Sequence, residues 1–255
     1  HILNNRYQNM MSNSFSYIFL FFVLTSAAIR VWLSLRQIRS VRSNRNEVPT
    51  AFSKDISLES HQKAANYTEA KMRLSNISTA TDTTLLLILT FGGLLNGFHH
   101  VATSLSSHPI ISGLVFFGLI GLFLSLVQLP ADLYKTFVLE EKFGFNKMSV
   151  GLFFKDFLIG LLVASIIGSI FIAGLLWVME IAGVNWWWYA WALAMSFWFF
   201  IQYLSPTLLA PMFNKFSPLD NETLKDRIEN LLKKCGFQSG GLFVMDGSRR
   251  SSHGN

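Results

Sequence analysis

Between Asp82 and Asp132 the chain carries no Asp, Glu, Lys or Arg, and none occurs between Asp156 and Glu180. Uninterrupted stretches of 49 and 23 such residues restrict the available folds sharply, because a soluble surface needs ionised groups at short intervals. A bilayer accounts for them: hydrocarbon excludes each ionised group at a cost of several kcal/mol, so charge collects in the connections. Composition agrees. The 255 residues are 51% hydrophobic and 14% charged, with 24 Phe, whereas a soluble domain averages about a quarter charged residues. The chain is read as an all-α multi-pass membrane protein.

The uncharged intervals can be divided against the roughly 20 residues that a spanning helix needs. Residues 7–29 hold one span; without a basic start or a small-residue cleavage pattern, they are a retained helix rather than a signal peptide. Residues 83–131 have room for two helices, with the connection expected at HHVATSLSSHP, residues 99–109. Residues 157–179 give a fourth span, and residues 181–214 hold a fifth, entered through Trp186, Trp187, Trp188 and Tyr189. Such an aromatic cluster suits the headgroup level. Five spans then partition the chain into residues 1–13 as a disordered or flanking segment, a membrane domain over 14–210 with cytoplasmic loops 36–82 and 132–156, and a water-soluble α/β segment over 211–255.

With the N-terminus outside, five spans place twenty of the 21 Lys and Arg on one side. That is the cytoplasmic side, since basic loops are retained there. The net charge of +6 is thereby a topology signal, and no nucleic-acid motif or partner is expected. The single cysteine, Cys235, excludes an internal disulfide; it suits a reducing compartment or serves as a small filler on a helix face.

Smaller features fill in this plan. A surface helix is expected over 57–74, capped by Ser57 and carrying Glu69 and Arg73 as an i,i+4 pair. Asn96, His99, His100, Gln128, Gln202 and Tyr203 are candidates to line a polar cavity, with His99 and His100 also fitting a helix end. Gly93 with Gly97, and Ala164 with Gly168, have the spacing of close helix contacts. Pro130, Pro206 and Pro211 are expected to kink or end helices. Beyond Pro211 the sequence predicts a helix over 221–234 with Asp220 as its cap and Gly236 at its end, then a strand over 242–245.

Three stretches have a specific wording: LYKTFVLEEKFGFNKMS within the charged island of residues 132–156, PMFNKFSPL from Pro211, and GSRRSSHGN from Gly247. Together with RQIRSVRSNRNEVPTAF and the helix after it, they resemble, in order, the type I CAAX prenyl proteases, which are integral-membrane zinc metalloproteases. The resemblance runs from about Arg36 to the end. It implies that residues 211–255 begin a cytoplasmic zinc-metalloprotease domain, and that the run ending at Asn255 forms an edge strand beside the active site. An extended peptide pairs with such an edge through its backbone.

By position, Asn255 would then sit at the substrate edge, and Arg249 and Arg250 would steer or anchor an anionic C-terminus. A cytoplasmic basic turn is an equal reading of the two arginines. The family's zinc motif is H-E-x-x-H, two imidazoles one helical turn apart with a Glu as general base. None of the six histidines here is followed by Glu, and His253 is not assigned to zinc. No catalytic residue and no metal ligand is therefore assigned to this chain. It is expected to be the front part of a longer protein whose Zn2+ ligands lie downstream, and to be inactive alone.

The resemblance implies, as partners, a peptide or prenylated protein substrate and membrane lipid. The short connections favour a bacterial inner membrane over the endoplasmic reticulum. The competing class is a non-enzymatic multi-pass protein, a transporter or scaffold, whose soluble tail is an interaction module.

Overall fold

The computed structural model describes residues 2–253, with side chains from Ser14 onward. Helices dominate: α1 (Ile2–Ser43), α2 (Leu58–Thr90), α3 (Leu94–Leu105), α4 (Pro109–Tyr134), α5 (Glu141–Phe143), α6 (Val150–Ile181), α7 (Trp186–Leu204), α8 (Ala210–Phe213) and α9 (Glu222–Lys234). Two three-residue strands, β1 (Phe216–Pro218) and β2 (Phe243–Met245), pair antiparallel with Ser217 opposite Val244. Among the described residues, four helical stretches are long and apolar enough to cross a membrane: Ser14–Ser43, Pro109–Phe143, Val150–Ile181 and Gly183–Phe213. The pair α2 and α3, bent by 56° at its break, makes a fifth when taken as one span. This matches the expected number of spans, and the α-helical multi-pass class with it.

The chain separates into two compact units, residues 1–100 with 125–143, and residues 101–124 with 144–255. In the first unit α1 and α2 run antiparallel. Ser34 donates to Met72 O at 3.4 Å near one end of the contact, and Phe19 meets Phe91 at 6.0 Å between ring centroids near the other. Ile38, Ala65, Leu89, Leu139 and Phe143 are its buried apolar residues. Tyr67, on α2, donates to Glu140 Oε1 at 2.8 Å and packs edge-on against Phe143.

Several boundaries differ from those expected, and for one shared reason. The loop placed at 36–82 is helical over most of its length: α1 continues to Ser43, and the helix that Ser57 caps, by accepting from Ser60 N, runs unbroken to Thr90. A 33-residue helix extends about 50 Å at 1.5 Å per residue, well beyond the ~30 Å of hydrocarbon. Charge density marks where a helix leaves lipid, not where it ends. Likewise α4 passes through a π-helical stretch, Lys135–Glu140, into α5, so that only residues 144–149 of the expected loop 132–156 are non-helical between α5 and α6. The backbone is helical from Ile2 as well, with no Pro or Gly to interrupt residues 2–13.

The connection between the second and third spans falls at residues 106–108, inside the expected stretch 99–109, and the second span is itself broken at residues 91–93, where Gly93 takes φ +77°. His99 and His100 consequently stand inside α3 rather than at a helix end. Pro130 lies within α4, and Pro206 within a second π-helical stretch, Ser205–Leu209. Neither ends its helix; at Pro206 the wider π turn re-accommodates backbone groups that a proline leaves unpaired. Asp82, expected as the last loop residue, accepts from Gln128 Nε2 at 2.6 Å, an α2 to α4 hydrogen bond between two polar groups on spanning helices.

In the second unit α6 packs on α7, with Phe171 and Phe197 at 4.7 Å between centroids. The close approaches are made by other glycines than those expected. A Cβ on Gly113 would stand 2.5 Å from Leu176 Cδ1, and one on Gly174 would stand 3.4 Å from Leu193 Cδ2, while Gly97 and Gly168 face open space. The cap of α9 is Asn221, whose side chain accepts from Leu224 N at 3.0 Å, not Asp220. The helix closes as expected at Gly236, φ +72°, with Phe237 N reaching Leu232 O. Cys235 is the exposed residue at that cap.

Candidate functional site

The second unit brings together three segments far apart in sequence: the turn 144–149, the end of the spanning helix at residues 213–215, and the run 246–253. Each is shaped locally first. Gly144 adopts φ +80° after α5. Asn146 Oδ1 then accepts from Met148 N at 2.8 Å, folding the turn on itself, and Ser149 caps α6 by accepting from Leu152 N. A side chain with a short acceptor is what such turns require.

The run 250–252 lies antiparallel to this turn. Lys147 N donates to Arg250 O at 3.2 Å, Ser252 N donates to Phe145 O at 2.9 Å, and Asn146 and Ser251 form the bridge between them. Ser252 Oγ adds a bond to Gly144 O at 2.9 Å, and the His253 ring stacks on Phe145 at 4.0 Å between centroids. The run 250–252 is therefore held to the turn 144–149 by backbone bonds on either side of one bridge.

Arg250 fixes that segment to the helices. Its Nε donates to Asp156 Oδ2 at 2.7 Å and its Nη2 to Asp156 Oδ1 at 3.1 Å, while Nη1 donates to Asn214 Oδ1 at 2.8 Å and Nη2 also reaches Phe213 O. The planar guanidinium matches the carboxylate with two parallel bonds. Side-chain exposure is 21% for Arg250 and 17% for Asp156, so the pair is shielded from most screening. Arg249, 57% exposed, faces the other way chemically, bonding only its near neighbour Asp246 at 3.3 Å among the described ion pairs.

Asp246 ties β1 to β2: its Oδ1 accepts from Lys215 N at 2.8 Å and its own N–H donates to Lys215 O at 3.1 Å. The Lys215 amide, followed by the Arg249 and Arg250 guanidiniums, holds its carboxyl below the ordinary Asp range against the opposing effect of desolvation. A depressed folded-state value means the contribution is fully present above the unfolded value of about 3.9 and is lost as pH falls through the folded one. Asp246→Asn is therefore expected to lower the unfolding midpoint of this unit at about pH 6, with the gap to the parent chain closing as pH falls below the ordinary Asp range. A gap independent of pH would show that the carboxylate charge contributes nothing.

Of the sequence-derived site residues, Arg249 and Arg250 are neighbours in the chain yet differ in role: Arg250 has its donors engaged, and Arg249 remains largely exposed. Asn255 lies outside the described residues. The partners Asp156 and Asn214 were not singled out from the sequence. The available signal was that Asp156 is the last charge before 23 uncharged residues, a position where a carboxylate needs a cation nearby. Among the described residues, no group of three or more His, Cys, Asp or Glu stands close enough to share a metal ion. The donor set described here does not fit a zinc site.

A family model described as CAAX prenyl protease N-terminal, five membrane helices, matches residues 37–215. CAAX prenyl protease 1 of Saccharomyces cerevisiae is 32% identical over 248 residues, 92% of this chain and 53% of the yeast protein. The human CAAX prenyl protease 1 homolog is 34% identical over 91% of this chain and 51% of its own. The crystal structure of S. mikatae Ste24p superposes with a TM-score of 0.86 at 31% identity, covering 92% of this chain and 56% of that one. The chain thus spans about half the length of the curated relatives it matches. With 37–215 matched and the fold shared at that identity, this multi-pass membrane chain belongs to the CAAX prenyl protease N-terminal family.

Proposed function

We infer that this chain forms the membrane and substrate-edge portion of an integral-membrane zinc endopeptidase that hydrolyses peptide bonds near prenylated or membrane-associated C-termini. The observation that carries this reading is the junction of residues 144–149, 213–215 and 246–253, because the three stretches of family-like wording meet there. The Asp156–Arg250 pair holds the run 250–252 in place, so that Arg249 is left to attract an anionic C-terminus and Asn255 to pair with the peptide backbone. Arg250 acts in this scheme as a positioning residue. Residues 211–255 would be the start of the protease domain. Phe243 is 63% exposed and Val244 48%, and a two-stranded sheet with that much apolar surface needs further layers; the rest of a full-length relative would supply them.

Zinc, held by residues outside this chain, would supply the activated water of the hydrolysis. The sorting of basic residues supports an N-terminus outside and the junction on the cytoplasmic side. The relatives named above are eukaryotic, so the compartment proposed is a eukaryotic membrane rather than the bacterial one favoured by the short connections.

The test is an assay of the full-length parent and of this chain on a farnesylated peptide, with metal analysis of both. The full-length protein should cleave it, lose activity to a chelator and regain it with zinc, while this chain alone should neither cleave nor retain zinc. A full-length protein inactive on the peptide, or one tightly held zinc on this chain, would refute the assignment.

A further inference from the structure

In the first unit, α2 and the stretch from Val127 to Phe143 enclose a cleft of about 590 Å³ with apolar walls that include Leu74, Ile77, Val127 and Leu139. At one end it shares Arg73, Lys142, Ala70 and Phe143 with a second hollow of about 610 Å³, which adds Arg42 and Arg45. The result is an apolar slot opening into a basic bowl. Four cations surround one carboxylate, Glu69, which is already held by Arg42 Nε at 2.9 Å and by Arg73 Nη2 at 2.6 Å. Three positive charges therefore remain uncompensated, and among the described residues Arg45 and Lys142 make no ion pair.

We propose that this paired cavity binds one anionic phospholipid, with its phosphate on Arg45 and Lys142 and an acyl chain along the slot. Charge and shape both select this class. A multiply basic hollow with a hydrocarbon-lined extension matches a molecule with an anionic head joined to a long apolar tail, and each volume lies within the range of ligand sites. Basic pockets beside spanning helices are where anionic headgroups collect; one wall belongs to Pro109–Phe143, which is apolar enough to span, and the other to α2, which is so when taken with α3 as one span. A soluble anion would leave the slot unfilled, while a single carboxylate would leave most of the bowl's charge unmatched. The proposal does not rest on the protease reading.

The experiment is native mass spectrometry of the detergent-solubilised chain with dioleoyl phosphatidylserine or dioleoyl phosphatidylcholine. The serine lipid should be retained about tenfold more strongly. The double variant Arg45→Gln and Lys142→Gln should bring the two lipids to within about twofold, whereas Lys225→Gln, a cation elsewhere, should leave the preference intact. Ala131→Phe, which narrows the slot without touching the bowl, should weaken retention of the serine lipid, with helix content by circular dichroism checking that both variants fold. Equal retention of the two lipids, or a preference that survives loss of both cations, overturns the proposal. Displacement of the lipid by millimolar inorganic phosphate would make the bowl an anion site only. Displacement by a farnesylated peptide with the same cation dependence would make the slot a substrate site.

Discussion

Asp156→Ala should release the run 250–252 from the turn 144–149, and trypsin should then cut after Arg249 and Arg250 at least several-fold faster than in the parent chain. Two effects of opposite sign decide this outcome. Alanine is the better helix former by up to about 0.7 kcal/mol, which favours the variant because Asp156 lies in the second turn of α6. Against that, removing one partner of a shielded pair strands the other; for fully buried pairs the cost is about 3–5 kcal/mol. At the exposures seen here a figure near 2 kcal/mol is appropriate, since solvent screens part of the charge. The loss therefore exceeds the propensity gain by more than a kilocalorie, and it is concentrated in a segment held by a few backbone bonds. Arg250→Lys should behave almost as badly, because one ammonium cannot replace a fork that serves Asp156, Asn214 and Phe213 together. Exchange of the two residues, Asp156→Arg with Arg250→Asp, should restore part of the protection. Unchanged cleavage in Asp156→Ala would show that the backbone bonds alone position the run, and that the ion pair is incidental.

How much of this was legible in the sequence depends on the length scale of the cause. Span number followed from charge exclusion, which acts over some twenty residues and leaves a record in composition. The ends of helices were less legible, because α2 does not stop where lipid stops; only Gly92 and Gly93 stop it. The α9 cap was misplaced by one residue because Asp220 and Asn221 are both good caps, and only the backbone shows that Asn221 Oδ1 reaches the Leu224 amide. At the candidate site, the run 247–253 was visible through its wording, but its anchor was not. Asp156 and Arg250 are 94 residues apart in the chain, and nothing local in either neighbourhood announces the other. Asp82 was equally opaque, since its partner Gln128 lies on a different span. Local chemistry marks turns and caps, whereas pairings across the fold need coordinates.

The bend between α2 and α3 gives a second large effect with an internal control. Gly93 holds φ +77°, and a Cβ there would meet no atom within 4 Å, so conformation alone sets the cost of a side chain. The left-handed region costs an ordinary L-residue about 1–2 kcal/mol, more when the side chain is β-branched, and least for asparagine. Thermal unfolding midpoints in detergent should consequently fall in the order Gly93→Val, then Gly93→Ala, then Gly93→Asn, with valine the most damaging. Gly92 differs in mechanism: a Cβ there would stand 2.5 Å from the Ile88 carbonyl oxygen, so Gly92→Ala must shift backbone and should destabilise through contact. Gly97, four residues along in the regular part of α3 with open space around it, has neither constraint. Gly97→Ala should raise the midpoint, by the roughly 0.5–1 kcal/mol that separates glycine from alanine inside a helix. Opposite signs for alanine at 93 and at 97 identify the break as a backbone requirement. A Gly93→Ala variant as stable as Gly97→Ala would instead mean that the span is continuous there, and that His99 and His100 are displaced around the helix from the positions found.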